Sequence, residues 1–205
     1  MNNLIILFSL IVISFDSYSQ SMDPMTSSAD STDYYYEIPT YPDSYSAENV
    51  AARLVDGLGF RFYWASEGLR QSDLDFKPSE DGRTTAETID HVYGLSLTII
   101  HATTSTINET VDRSELSTED KRRIALENIK SASEHLKESS LGGIEDMRSI
   151  FKRTEGPNIE LPFWNMVNGP IADAIWHSGQ IVTFRRSSGN PVNPNITFFQ
   201  GRLRN

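Results

Sequence analysis

The sequence predicts an all-α fold, a bundle of four amphipathic helices, and three observations predict it. Apolar residues recur at three- and four-residue spacing in separate stretches between Ser46 and Ser187, each opened or closed by a capping signal. No run of alternating apolar and polar residues persists, so no sheet larger than an incidental hairpin is expected. The chain has 205 residues and no cysteine. Its length suits one domain with extensions, and its composition excludes disulfide scaffolds, thiolate zinc sites, iron–sulfur clusters and cysteine nucleophiles. A helix with one apolar stripe must bury it, and four stripes facing one another do so together.

Before the first helix, Leu4 to Phe15 reads LIILFSLIVISF, shorter than the ~20 apolar residues a membrane-spanning helix needs. A secretory apolar region is the reading it fits, although no Lys or Arg precedes it. Ser17 and Ser19 bracket Tyr18 as small residues at a cleavage site, so residues 1–19 are expected to be a cleavable signal peptide cut before Gln20. The protein is then exported, to a periplasm or beyond the cell, and without a lipobox cysteine it carries no lipoprotein anchor. Residues 20–44 are rich in Ser, Asp, Tyr and Pro without period, an irregular segment whose Tyr34, Tyr35 and Tyr36 are expected to pack their rings on the bundle, the alternative being a recognition patch.

Residues 45–205 form the domain. Ser46 caps a first helix with the stripe Val50, Leu54, Leu58, Phe62, Ala65 and Leu69. A second opens at Thr84 or Thr85, through Thr84-x-x-Glu87 or Thr85-x-x-Thr88, and carries Val92, Leu95, Ile99 and Ala102. A third opens at Ser117 or Thr118 and turns Ala125, Ile129, Ala132 and Leu136 inward. Its other face, with Glu119, Lys121, Arg122, Glu127, Lys130, Glu134 and Lys137, reads as a solvated charge mosaic. The fourth follows Pro162 or begins in earnest at Pro170, and Ser188-Gly189-Asn190-Pro191 stops it. Between the third and fourth, Leu141 to Glu160 fits a short helix or an extended crossover equally.

Net charge −10 argues against a protein whose task is to neutralise phosphates, so no nucleic-acid partner is expected. Four histidines remain to be weighed. His135 lies among charged residues and reads as a solvent histidine, and His101 as one at the core edge or surface. His91 and His177 each sit within an apolar stripe on different helices. Asp173 precedes His177 by one turn, on the same face. Two imidazoles and a carboxylate make a three-ligand nitrogen–oxygen site for a divalent metal such as Zn²⁺ or Ni²⁺ with positions left open. Spacing alone is met as well by an Asp173–His177 hydrogen bond beside a core histidine, with no metal.

The string Asn168-Gly169-Pro170-Ile171-Ala172-Asp173-Ala174-Ile175-Trp176-His177-Ser178-Gly179-Gln180-Ile181, followed by Arg185-Arg186 and Gly189-Asn190-Pro191, resembles the C-terminal signature of the DinB-like family. The stretch from Arg61-Phe62-Tyr63-Trp64 through Asp75-Phe76-Lys77-Pro78 to Arg83-Thr84 and His91 resembles its first half. The likeness spans about residues 46–192. It implies a four-helix bundle with a long crossover and a divalent metal held by one His on the second helix and a His-x-x-x-His pair on the last. Those ligands fall on His91, position 173 and His177, and this chain departs from the pattern with Asp173. Carboxylates stand there in relatives such as the mycothiol-dependent isomerases, which makes the site harder and more anionic.

The same resemblance implies metal-dependent transfer or hydrolysis, a thiol or water being activated by a Lewis acid, on a small-molecule substrate. Export tilts the expectation toward water. The candidate catalytic residues are Gln180, one turn past His177, as a hydrogen-bond donor behind the metal ligands, and Glu87, as a general base or merely a helix-terminal acid. Arg185 and Arg186 either hold an anionic substrate group or complement the helix C-terminus. The other class of function is a non-catalytic bundle that binds a ligand or partner, with a structural metal or none. A second copy of the chain is the remaining partner, as a homodimer, and no stable membrane insertion is expected once the signal peptide is removed.

Overall fold

Ser46 opens the first helix as its side chain dictates: the Oγ accepts the Asn49 amide at 3.2 Å, and α1 runs over Ala47–Ser66. The computed structural model describes residues 34–138 and 142–204. The predicted signal peptide and its cut before Gln20 lie outside the described residues. Thr84 and Glu87 exchange the two bonds of a capping box at 3.1 and 2.7 Å and begin α3, Thr85–Thr103, after a single turn, α2, at Gln71–Leu74. Ser117 accepts the Asp120 amide at 3.0 Å ahead of α4, Thr118–Glu138. Trp164–Met166 form a short helix, α5, and Ala172–Ser187 form α6.

The chain is mostly helical, and its four long helices close a cycle of contacts in which α4 packs on α1 and α3, and α6 packs on the same two. Leu58, Phe62 and Ala65 of α1, Val92, Ile99 and Ala102 of α3, and Ala125, Ile129, Ala132 and Leu136 of α4 are buried together with Ala174 and Ile181 of α6. Val50 and Leu54 are not in this core; they are 54% and 37% exposed. The buried face of α1 instead carries Ala52, Val55, Asp56 and Gly59. Gly59 lies nine residues from Val50, about two and a half turns at 3.6 residues per turn, which is the opposite side. Small and charged residues line that face because Tyr35 fills it. A methyl group at Gly59 would sit 2.4 Å from the Tyr35 ring, and the ring's hydroxyl donates to Asp56 Oδ1 at 3.2 Å. The tyrosine segment thus packs on the helices, and Trp64 Nε1 holds it by donating to the Tyr36 carbonyl.

The outer face of α4 is less idle than a solvated mosaic. Lys137 donates to the buried Asp56 at 2.8 Å, Arg122 pairs with Glu67 and Ser66 at the end of α1, and Lys121 reaches Asp90 of α3 at 2.9 Å. Long side chains on a nominally polar face here tie α4 to both neighbours.

Strands correct the expectation of no sheet beyond a hairpin. Ile107–Asn108 (β1) pairs parallel with Arg148–Phe151 (β2), which pairs antiparallel with Ile159–Pro162 (β3), in the order β1-β2-β3. Ile196–Thr197 (β4) and Arg202–Leu203 (β5) make a second, two-stranded pair. With two to four residues each, they are too short for a period of two to register in the sequence. From residue 142 to 160 the crossover holds both forms the sequence allowed, a 3₁₀ turn at Ile144–Asp146 and then extended chain.

Two charged side chains lock the end of the helices near residue 66 to the end of α6. Asp73 is fully buried and accepts from the Arg70 guanidinium and amide, Ser188 Oγ at 2.6 Å and Asn190 Nδ2 at 2.7 Å. Arg185, 5% exposed, donates to the carbonyls of Trp64, Ala65 and Glu67 at 2.9–3.1 Å. It satisfies the orphan carbonyls that terminate α1, so Arg185 does complement a helix C-terminus, that of α1 rather than of its own helix; Arg186 is exposed.

Candidate metal centre

His91 sits in the second turn of α3, and Asp173 and His177 face it from the first turns of α6. The chain enters α6 through a break. Gly169 has φ −102 and ψ −108 inside a π-turn over Val167–Ile171, and Pro170 follows it. Proline brings no N–H and crowds the preceding turn, which widens the helix there. Regular helix starts just beyond, as expected from Pro170, and sets Asp173 and His177 one above the other.

The cluster is close. His91 Nε2 lies 3.2 Å from Asp173 Oδ2, and His177 Nε2 lies 3.3 Å from Asp173 Oδ1. The two rings stand perpendicular with centroids 4.6 Å apart, and one ligand atom from each of the three residues falls within 4.8 Å of the others. His177 is buried, whereas the side chains of His91 and Asp173 are 32% and 38% exposed, so the site is anchored inside and open outward. Burial holds the His91 imidazole below its ordinary pKa, with the charges of His177 and Arg83 acting in the same direction and the Asp173 contact opposing them. A neutral His91 presents a ligand lone pair.

Gln180 decides the tautomer of the other histidine. Its Oε1 accepts from His177 Nδ1 at 2.7 Å. With Nδ1 used as the donor to Gln180, Nε2 is the nitrogen left to offer a lone pair to a cation, and it faces Asp173 Oδ1 at 3.3 Å. Two imidazole nitrogens and a carboxylate therefore fit a divalent metal by their chemistry as well as their placement.

The other candidates fall away from the centre. Glu87 is exposed and its carboxylate is engaged by the Thr84 amide in the capping box, which holds its pKa below the ordinary value; this is the helix-terminal role. His101 Nδ1 meets Asn108 Oδ1 at 3.1 Å. His135 is half-buried rather than in solvent, its Nδ1 3.2 Å from the hydroxyl of the buried Thr103, because its helix rotates it toward α3.

His91 opens into a cleft of about 440 Å³ whose lining includes Lys77, Arg83 and Arg113. Two larger clefts, of about 770 and 590 Å³, contain none of the three ligands. The sequence assigns the basic residues of the smaller cleft no role in a site. Lys77 and Arg83 lie in the irregular connection before α3, where no periodicity reports which way a side chain points.

Comparison of the chain with protein-family models, with curated proteins and with solved structures gives no match. Among the described residues, no helix is long and apolar enough to cross a membrane.

Proposed function

We propose that this chain is an exported divalent-metal-binding four-helix bundle of the DinB-like type that acts as a metal-dependent hydrolase or transferase on a small molecule. The observation that carries the proposal is the convergence of His91, Asp173 and His177, from two helices, within 4.8 Å. His91, Asp173 and His177 would hold the metal, with Zn²⁺ or Ni²⁺ suited to the donors. A divalent cation there supplies Lewis acidity that lowers the pKa of a water or thiol. The protein residues do the rest: Gln180 fixes the His177 ring, Asp173 supplies negative charge to the centre, and the half-exposed edge of His91 and Asp173 leaves a side from which a substrate approaches. The closed cycle of four helices and the crossover through residues 142–162 support the architecture.

Calorimetric titration with Zn²⁺ and Ni²⁺ tests the reading. Stoichiometric binding is expected for the wild type, lost or strongly weakened in His91→Ala, Asp173→Ala and His177→Ala, and unchanged in His101→Ala and His135→Ala. Asp173→His retains binding. Occupancy falls as pH drops through the histidine range, since a proton on Nε2 competes with the metal. No stoichiometric binding to the wild type, or an equal loss in all the histidine variants, returns the cluster to a polar contact between helices and favours a non-catalytic bundle.

A further inference from the structure

We propose that the cleft beside His91 receives its substrate through an oxyanion, a carboxylate or phosphate, held by Arg83 and Lys77. The proposal deepens the metal-centre reading by naming the class of substrate, and rests on that reading for the chemistry that follows binding. Apart from Gly82, every residue lining this cleft is ionisable, so it offers nothing for an apolar ligand to bury against.

It carries three cations, Lys77, Arg83 and Arg113, and three carboxylates, Asp81, Glu87 and Asp90, which differ in how far their hydrogen-bonding groups are used. Glu87 is occupied at the α3 terminus, where it accepts the Thr84 amide at 2.7 Å. Asp90 is shared by Arg113 at 3.2 Å and Lys121 at 2.9 Å, which uses those cations in turn. Among the described residues Asp81 is the lining acid with no hydrogen bond or ion pair, and Glu87 keeps its charge and lies near enough to Lys77 and Arg83 to feel theirs. Neither Arg83 nor Lys77 makes a hydrogen bond or ion pair among the described residues, and both are exposed. At the mouth of a cleft that contains a metal ligand, two cations whose N–H groups make no hydrogen bond among the described residues leave those donors free for an added oxyanion. Arg83 is near enough for its charge to act on the His91 imidazole. A guanidinium grips an oxyanion through two parallel N–H donors and fixes its orientation. A small molecule held there by its anionic end lays its remainder beside His91.

The test uses inorganic phosphate and acetate as probes, titrated by calorimetry at constant ionic strength into the full mature chain, metal-free and zinc-loaded. The variants are Arg83→Gln, Lys77→Gln and, as a control with the same change of charge, Arg186→Gln. Arg83→Gln is expected to weaken anion binding about tenfold or more and Lys77→Gln by a smaller factor, with Arg186→Gln, zinc affinity and melting temperature unchanged. The probe that binds more tightly names the anion class. No anion binding to the wild type, wild-type binding in Arg83→Gln, or an equal loss in Arg186→Gln overturns the proposal. Failure of zinc to bind while Arg83 still governs anion affinity removes the metal reading and leaves the anion site standing.

Discussion

Replacing Gln180 by Ala tests whether the His177 tautomer is set from outside the cluster. The substitution removes an acceptor 2.7 Å from Nδ1 of a buried imidazole. The ring then redistributes its proton between the two nitrogens and loses a restraint on its rotation. Partners of this kind contribute about 10–100-fold to metal affinity, or ~1.4–2.7 kcal/mol. Gln180 is half-buried, so water can enter after truncation to Ala and take over the bond in part, which places Gln180→Ala near the tenfold end. Gln180→Leu fills the space and excludes that water, and is expected near the hundredfold end. Gln180→Glu, a stronger acceptor, retains wild-type affinity or exceeds it. Zinc affinity measured by competition with a chromophoric chelator, with far-UV circular dichroism to confirm folding, provides the assay. Affinities of Gln180→Ala and Gln180→Leu within about twofold of wild type, while His177→Ala loses binding, would show that the Nδ1 contact does not prepare Nε2.

Two further predictions concern the folded state. Lys137→Met leaves the Asp56 carboxylate, 1% exposed, with the Tyr35 hydroxyl as its one side-chain partner among the described residues; a loss of about 3 kcal/mol is expected in urea denaturation, and Lys137→Arg should recover part of it. The Arg70 guanidinium, aided by Ser188, Asn190 and the Arg70 amide, holds the Asp73 carboxyl far below the usual carboxylate range against the opposing effect of burial. The folded chain thus binds fewer protons than the unfolded one, whose Asp titrates near ~3.9, so this stabilisation is complete at neutral pH and lost as pH falls below about 4. Denaturation midpoints from pH 7 to pH 2 should drop for the wild type below that point. Asp73→Asn should start lower at pH 7 and vary less with acid, and parallel curves would remove Asp73 as the source.

Capping residues and stripes were legible because they are local. Ser46, Thr84 and Ser117 satisfy amides three residues away, and α4 buries Ala125, Ile129, Ala132 and Leu136 as its 3.6-residue period requires. The pairing of Asp173 with His177 was legible for the same reason, one turn of helix. His91 could be nominated from its apolar surroundings, but its 3.2 Å approach to Asp173, 82 residues away, is set by how α3 packs on α6. Asp56 and Asp73 looked like ordinary charged residues in the sequence, and for Arg185 the sequence did not say which helix end it would meet. Their partners lie on other elements, Lys137, Asn190 and the carbonyls ending α1, so only the assembled helices could show that burying them leaves no charge alone. The short strands and the cations around the His91 cleft belong to the same class. A two-residue strand has no period, and Lys77 and Arg83 acquire a shared direction only when the connection before α3 folds against it. The sequence by itself determined where α1, α3 and α4 open and which face of α3 and α4 is apolar, since hydrogen bonds and side-chain spacing within a helix reach four residues at most, whereas the buried face of α1 was set by Tyr35 from outside it. The tertiary structure alone decided which polar groups meet, because contacts between side chains distant along the chain depend on the packing of one helix against another.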